Sequence, residues 1–133
     1  MDTNVQALVR ECTKASGEER ISFGEVVMNL IEAGVERYHA DLVRAETTYY
    51  LPNGDTEVVR SDAARVGPAK AFSATGVAAA VHAIQAGTIK YRTFCERVME
   101  AGCVGYIASI AGQRVVYYGR TGDSHVEWFP GAK

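Results

Sequence analysis

The sequence predicts an α+β fold: a two-layer sandwich in which an antiparallel sheet is covered on one face by helices, built from a helix-helix-three-strand unit written twice. Three observations predict it. First, residues 21–59 can be laid over residues 89–127 without a gap, matching Ile21 with Ile89, the Glu-Ala-Gly of Glu32 to Gly34 with that of Glu100 to Gly102, and Tyr38 with Tyr106. The same frame pairs Tyr49-Tyr50 with Tyr117-Tyr118 and Gly54-Asp55 with Gly122-Asp123. Second, hydrophobic periodicity changes at the same point in each copy, from the 3.6-residue period of a helix to the two-residue period of a strand. Third, apolar helix stripes need a sheet face to cover, and two three-stranded meanders joined in one sheet provide it.

Each copy opens on a helical stretch, with Val5, Leu8, Val9 and Cys12 in the first and Val77, Ala80, Val81 and Ile84 in the second. These helices should end near Gly17 and Gly87, and the loop that follows reads as longer in the first copy. The next helices carry Phe23, Val26, Val27, Leu30 and Ile31, repeated in frame by Tyr91, Phe94, Cys95, Val98 and Met99. Both sets follow the i, i+3, i+4, i+7, i+8 spacing of a single buried face, and both helices stop at a glycine suited to the left-handed conformation.

Strands follow at "VERYHADLV" and "CVGYIASIA", with Tyr38, Ala40 and Leu42, or Tyr106, Ala108 and Ile110, on the face toward the core. Tight connections at "RAE" and "AGQ" lead to second strands "TTYY" and "RVVYY", turns at the Gly-Asp pairs, and third strands "TEVV" and "SHVEWF". The pseudo-repeats occupy roughly residues 1–60 and 72–130 of one domain, joined by the connector "SDAARVGPAKAFS".

Composition bounds the function. A chain of 133 residues, 47% hydrophobic and 23% charged, is long enough for one core and far from the composition of disorder. Fourteen basic against sixteen acidic residues give no general attraction to phosphate backbones or anionic lipid, which disfavours nucleic acid as a partner. No apolar stretch is long enough for a membrane span or a signal core, so the chain reads as cytoplasmic, with no membrane association. Three cysteines without CxxC or His-spaced grouping suggest neither a disulfide framework nor a metal site, and no motif implies a cofactor.

The runs "GVERYHADLVRAETTYYLPNGD" and "AIQAGTIKYRTFCERVMEAGCVGYIASIAGQRVVYYGRTGD", with the ending "SHVEWFP", resemble the YdfO and YbcV group of bacterial and prophage proteins. That is a domain-of-unknown-function family often labelled "phage envelope protein". The resemblance covers nearly the whole chain and is most specific at "QAGTIKYRTFC" and "HVEWFP". It implies a small two-layer α+β fold and no established activity.

Candidate binding residues are those where the copies differ or where aromatics cluster. Arg37, His39 and Asp41 form a polar trio at positions where the second copy has Gly105, Ile107 and Ser109. A histidine beside an aspartate could serve as a general base, yet i and i+2 on a strand stand about 7 Å apart, so a direct dyad is not built in. His125 lies in the last strand beside Glu127 and Trp128. In each Tyr-Tyr pair, Tyr49-Tyr50 and Tyr117-Tyr118, one ring must enter the core and the other face out. Lys90, Arg92 and Arg97 are expected on the wet side of their helix.

Two readings of function follow. In one, the protein is a non-enzymatic interaction module of phage-related origin that uses its open sheet face, with a homodimer or another protein as partner. In the other, it is a small-ligand receptor or enzyme, with Tyr38, His39, Asp41 and the tyrosine pairs around a cleft between the two halves. No catalytic constellation is evident, which leans away from an enzyme.

Overall fold

The computed structural model describes residues 1–62 and 66–132. Helices α1 (Thr3–Gly17) and α2 (Phe23–Ala33) precede strands β1 (Arg37–Asp41), β2 (Glu46–Tyr50) and β3 (Thr56–Arg60). Helices α3 (Ala74–Gln85) and α4 (Tyr91–Glu100) precede β4 (Cys103–Ser109), β5 (Arg114–Gly119) and β6 (Ser124–Trp128). All six strands pair antiparallel in the order β3-β2-β1-β4-β5-β6, and the helices pack against one face. Part of the connector, residues 63–65, lies outside the described residues.

The element order is the same in both halves, and local chemistry explains each boundary. Ser22 and Glu25 form a reciprocal capping box at the start of α2, satisfying amides that the first turn leaves free. Ser73 caps α3 through the Gly76 amide at 3.0 Å. Gly34 and Gly102 both adopt the left-handed conformation, at φ 82° and 90°, as the chain leaves α2 and α4. The tight β1-β2 and β4-β5 connections place Ala45 and Gln113, which correspond in the frame, in that same conformation.

One expectation is corrected at the first helices. The loop after α1 is no longer than the loop after α3: α1 ends at Gly17 and α3 at Gln85, which are equivalent in the frame that relates the strands. The gapless frame therefore runs upstream, setting Val9 against Val77, Cys12 against Ala80 and Thr13 against Val81, all six buried. Aligning Val5 with Val77 missed this because Thr13 breaks the apolar pattern that would have marked its position.

A second correction concerns α2. Phe94, Cys95, Val98 and Met99 are all buried, but of the corresponding stripe only Val26 and Leu30 are; Phe23 is 39% and Ile31 56% exposed. Helix α4 packs closely on α3, α1 and β4, whereas the close packing of α2 is with α1. The spacing of apolar residues identifies the face that turns inward. It does not set how near the helix axis comes to the sheet, and α2 stands off.

Candidate functional site

Between the helices and the sheet lies a cavity of about 750 Å³, bordered by parts of all four helices. Its floor is a row of tyrosines, Tyr49 on β2, Tyr38 on β1, Tyr106 on β4 and Tyr117 on β5, each no more than 6% exposed. Register places them side by side: Tyr38 pairs with Tyr49, Tyr106 pairs with Tyr117, and Tyr38 and Tyr106 lie diagonally across β1 and β4. Thr13, Val26, Val27, Val81, Tyr91 and Cys95 come down from the helices. Arg20, Lys90, Arg92 and Asp62 stand exposed around the rim.

The hydroxyls on this floor are not equivalent. Thr13 Oγ1 donates to the Val9 carbonyl at 3.0 Å, so at the 2.8 Å contact with Tyr49 it is the tyrosine that donates. Tyr106 shares its hydroxyl with that of Tyr91 at 2.9 Å. Neither partner exists at the duplicate position: Val81 stands where Thr13 would face Tyr117, and Phe23 where Tyr91 would face Tyr38. Tyr38 and Tyr117 accordingly make no side-chain hydrogen bond among the described residues. No buried side-chain oxygen or nitrogen sealed from solvent lacks a partner there. These two hydroxyls therefore border accessible space, and the space beside both residues is the cavity.

Burial raises the pKa of Tyr49 to about 12 and pushes Tyr38, Tyr91, Tyr106 and Tyr117 upward as well. The floor thus presents neutral phenols, able to donate and accept hydrogen bonds without carrying charge. Cys95, at the cavity wall, is pushed by burial to about 11, and Cys12 and Cys103 are raised for the same reason. All three thiols are buried and protonated at neutral pH, which makes them packing groups and poor nucleophiles.

The sequence candidates divide between the two faces of the sheet. Tyr38, Tyr49, Tyr117 and His125 lie on the helix-covered face, where His125 is bonded to Glu127 and the Glu127 side of β6 borders the cavity. Arg37, His39, Tyr50 and Tyr118 lie on the open face. There the Arg37 guanidinium sits 4.1 Å from the centroid of Tyr50, and His39 Nε2 is 2.6 Å from the Tyr118 hydroxyl. Gly105, the counterpart of Arg37, has no side chain because the Tyr118 hydroxyl occupies that space on its way to His39: a Cβ there would come within 2.5 Å of it. Asp41, at the end of β1, accepts from the Val43 and Arg44 amides and holds the turn. The structure therefore does not bring His39 together with Tyr38 or His125.

Sequence reasoning missed Thr13, Tyr91, Tyr106 and Glu127 as parts of a site. The first was findable, because extending the gapless frame upstream exposes a threonine at an otherwise apolar position. Among the described residues, no three His, Cys, Asp or Glu side chains group where they could hold a metal ion, and no helix is long and apolar enough to cross a membrane.

The hydroxyl pattern makes a stability prediction. Thr13→Val should destabilise the fold by about 1 kcal/mol, because it strips a buried hydroxyl of its partner. Tyr38→Phe and Tyr117→Phe, which remove oxygens with no protein partner, should stay within roughly 0.5 kcal/mol of the parent. Urea titrations of the three variants measure this, and a loss at Tyr38→Phe as large as at Thr13→Val would refute the assignment.

The fold and site define a duplicated α+β protein with a tyrosine-floored cavity between its layers. The chain belongs to the family described as "Protein of unknown function (DUF1398)", whose model matches residues 17–126. A comparison with curated proteins gives no match.

Proposed function

We propose that the protein binds a small molecule in the cavity between its helices and its sheet. The observation that carries this reading is the pair of buried tyrosines, Tyr38 and Tyr117, whose hydroxyls have no protein partner and border a space of about 750 Å³. Two hydroxyls that face this space, unclaimed by protein partners, are free to bond to a ligand placed there. The volume falls in the range of small-molecule sites, roughly 300–1,000 Å³, and the lining has their usual character of apolar walls with a few polar groups. The phenols and the thiol that border the cavity have pKa values raised by burial, so no activated nucleophile stands there among the described residues and binding is favoured over catalysis.

The open sheet face supports a second reading, the interaction module. One row crosses all six strands as Val58, Thr48, His39, Ile107, Val116 and Val126, with Val58, Ile107 and Val126 each at least 40% exposed. Exposed apolar residues in line suit a homodimer or another protein partner. The phage-related origin implied by the resemblance to the YdfO and YbcV group belongs with this reading and supplies no chemistry of its own.

Native mass spectrometry of the chain purified without denaturant separates the two. The first reading expects a monomer carrying a discrete added mass, lost in a Val27→Trp variant that fills the cavity while keeping its circular dichroism. An apo dimer whose added mass is nil would overturn the first reading in favour of the second.

A further inference from the structure

Resting on the small-molecule reading, the lining of the cavity also restricts the chemistry of its occupant. The aromatic rings along it are continuous. Centroids are 5.5 Å apart from Tyr49 to Tyr38, 6.3 Å from Tyr38 to Tyr106, 5.4 Å from Tyr106 to Tyr117, and 6.2 Å from Tyr117 to Phe94. Aromatic faces and edges in such a row are matched by another planar ring, through offset or edge-on packing.

Charge narrows the class further. The cations that border the cavity, Arg20, Lys90 and Arg92, are all exposed at the rim, so none waits inside to compensate an anion. Of the carboxylates that border it, Glu127 is engaged by His125, Glu46 by Arg44 at 2.8 Å, Glu19 by the Arg92 amide at 3.3 Å and Asp41 by the Val43 and Arg44 amides, while Asp62 lies exposed 3.7 Å from Arg92. A charged ligand would surrender its hydration without gaining a counterion, a loss that neutral phenols do not offset.

What remains inside is the pair of uncommitted hydroxyls. Tyr49 donates its hydrogen bond to Thr13, and the Tyr106 hydroxyl is paired with that of Tyr91, so Tyr38 and Tyr117 are the floor hydroxyls left without a protein partner among the described residues. They stand two ring steps apart along the row. We infer that the cavity takes an uncharged, planar, ring-containing molecule bearing a hydroxyl or carbonyl oxygen that bonds to Tyr38 or Tyr117.

Three probes of one shape test this by isothermal titration at neutral pH: 2-naphthol, naphthalene and 2-naphthoate. The full chain should bind 2-naphthol more tightly than naphthalene, and 2-naphthoate at least about tenfold more weakly than 2-naphthol, since its carboxylate finds no cation. At least one of the Tyr38→Phe and Tyr117→Phe variants should weaken 2-naphthol by about three- to tenfold, and both should leave naphthalene unchanged. Gly34→Ala, which strains the end of α2 without bordering the cavity, should not weaken 2-naphthol, and melting curves establish that each variant is folded. Tighter binding of 2-naphthoate, or 2-naphthol affinity indifferent to both Phe substitutions, would overturn the chemical class while leaving the cavity as a binding site. If none of the three probes binds and the native protein carries no added mass, the small-molecule reading fails with it.

Discussion

Gly102→Ala is expected to destabilise the fold by about 4 kcal/mol or more, whereas the equivalent Gly34→Ala should cost only about 1–2 kcal/mol. Both glycines have a positive φ after a helix, so the left-handed penalty for an L side chain applies to each. The surroundings differ. A Cβ on Gly34 meets nothing within 4 Å, but one on Gly102 collides with the Ala71 carbonyl oxygen and stands 2.8 Å from Phe72 Cα. Those atoms are backbone, and the segment carrying them is tied down by hydrogen bonds from the Ala69 amide to the Met99 carbonyl and from the Ser73 amide to the Ala101 carbonyl. It cannot turn aside as a flexible side chain would. Thermal melts should show Gly102→Ala falling by roughly 10 °C or more and Gly34→Ala by only a few degrees. Similar shifts for the two would mean that the connector gives way and that the contact constrains nothing.

That contrast also shows where the sequence stops informing. The Glu-Ala-Gly repeat announces both glycines and both helix ends, because a glycine stop is a local backbone property. What rests on Gly102 is not local: it comes from the chain segment that joins the halves. The strands were legible for the same local reason. Alternation places Tyr38, Ala40 and Leu42 on one face, all buried, and it equally places His39 and Asp41 off that face, so grouping His39 with Tyr38 around one cleft asked a strand to point both ways. The cavity was not legible. It depends on α2 standing away from the sheet while α4 packs against it, although both carry the same spacing of apolar residues. The selectivity of its floor depends on Thr13 and Tyr91 in place of Val81 and Phe23, four residues whose meaning appears only once the helices are laid over the tyrosine row.

The tyrosine row should also set the alkaline limit of the fold. Tyr38, Tyr49, Tyr91, Tyr106 and Tyr117 all have pKa values raised by burial, Tyr49 to about 12. In the unfolded chain a tyrosine loses its proton near pH 10. Below that pH both states are protonated and the groups impose no pH dependence. Above it the unfolded state binds fewer protons than the folded state, so stability falls as pH rises toward the folded pKa. Each such group removes up to about 1.4 kcal/mol per pH unit in this window. Five together can remove about 7 kcal/mol in one unit, against a total stability of ordinarily about 5–15 kcal/mol. The buried thiols start the decline earlier, since Cys95 is raised from 9.0 to about 11 and its unfolded form ionises first. The expected result is one cooperative unfolding step near pH 11, with tyrosinate absorbance from the buried rings appearing together with the loss of far-ultraviolet circular dichroism. Removing Tyr117 as an ionising group by Tyr117→Phe should move that step to higher pH, because one proton fewer is released on unfolding. Gradual ionisation of all the tyrosines near pH 10 with the helical signal intact would show instead that burial does not hold the phenols neutral, and that the row is not the uncharged surface on which the proposed ligand chemistry depends.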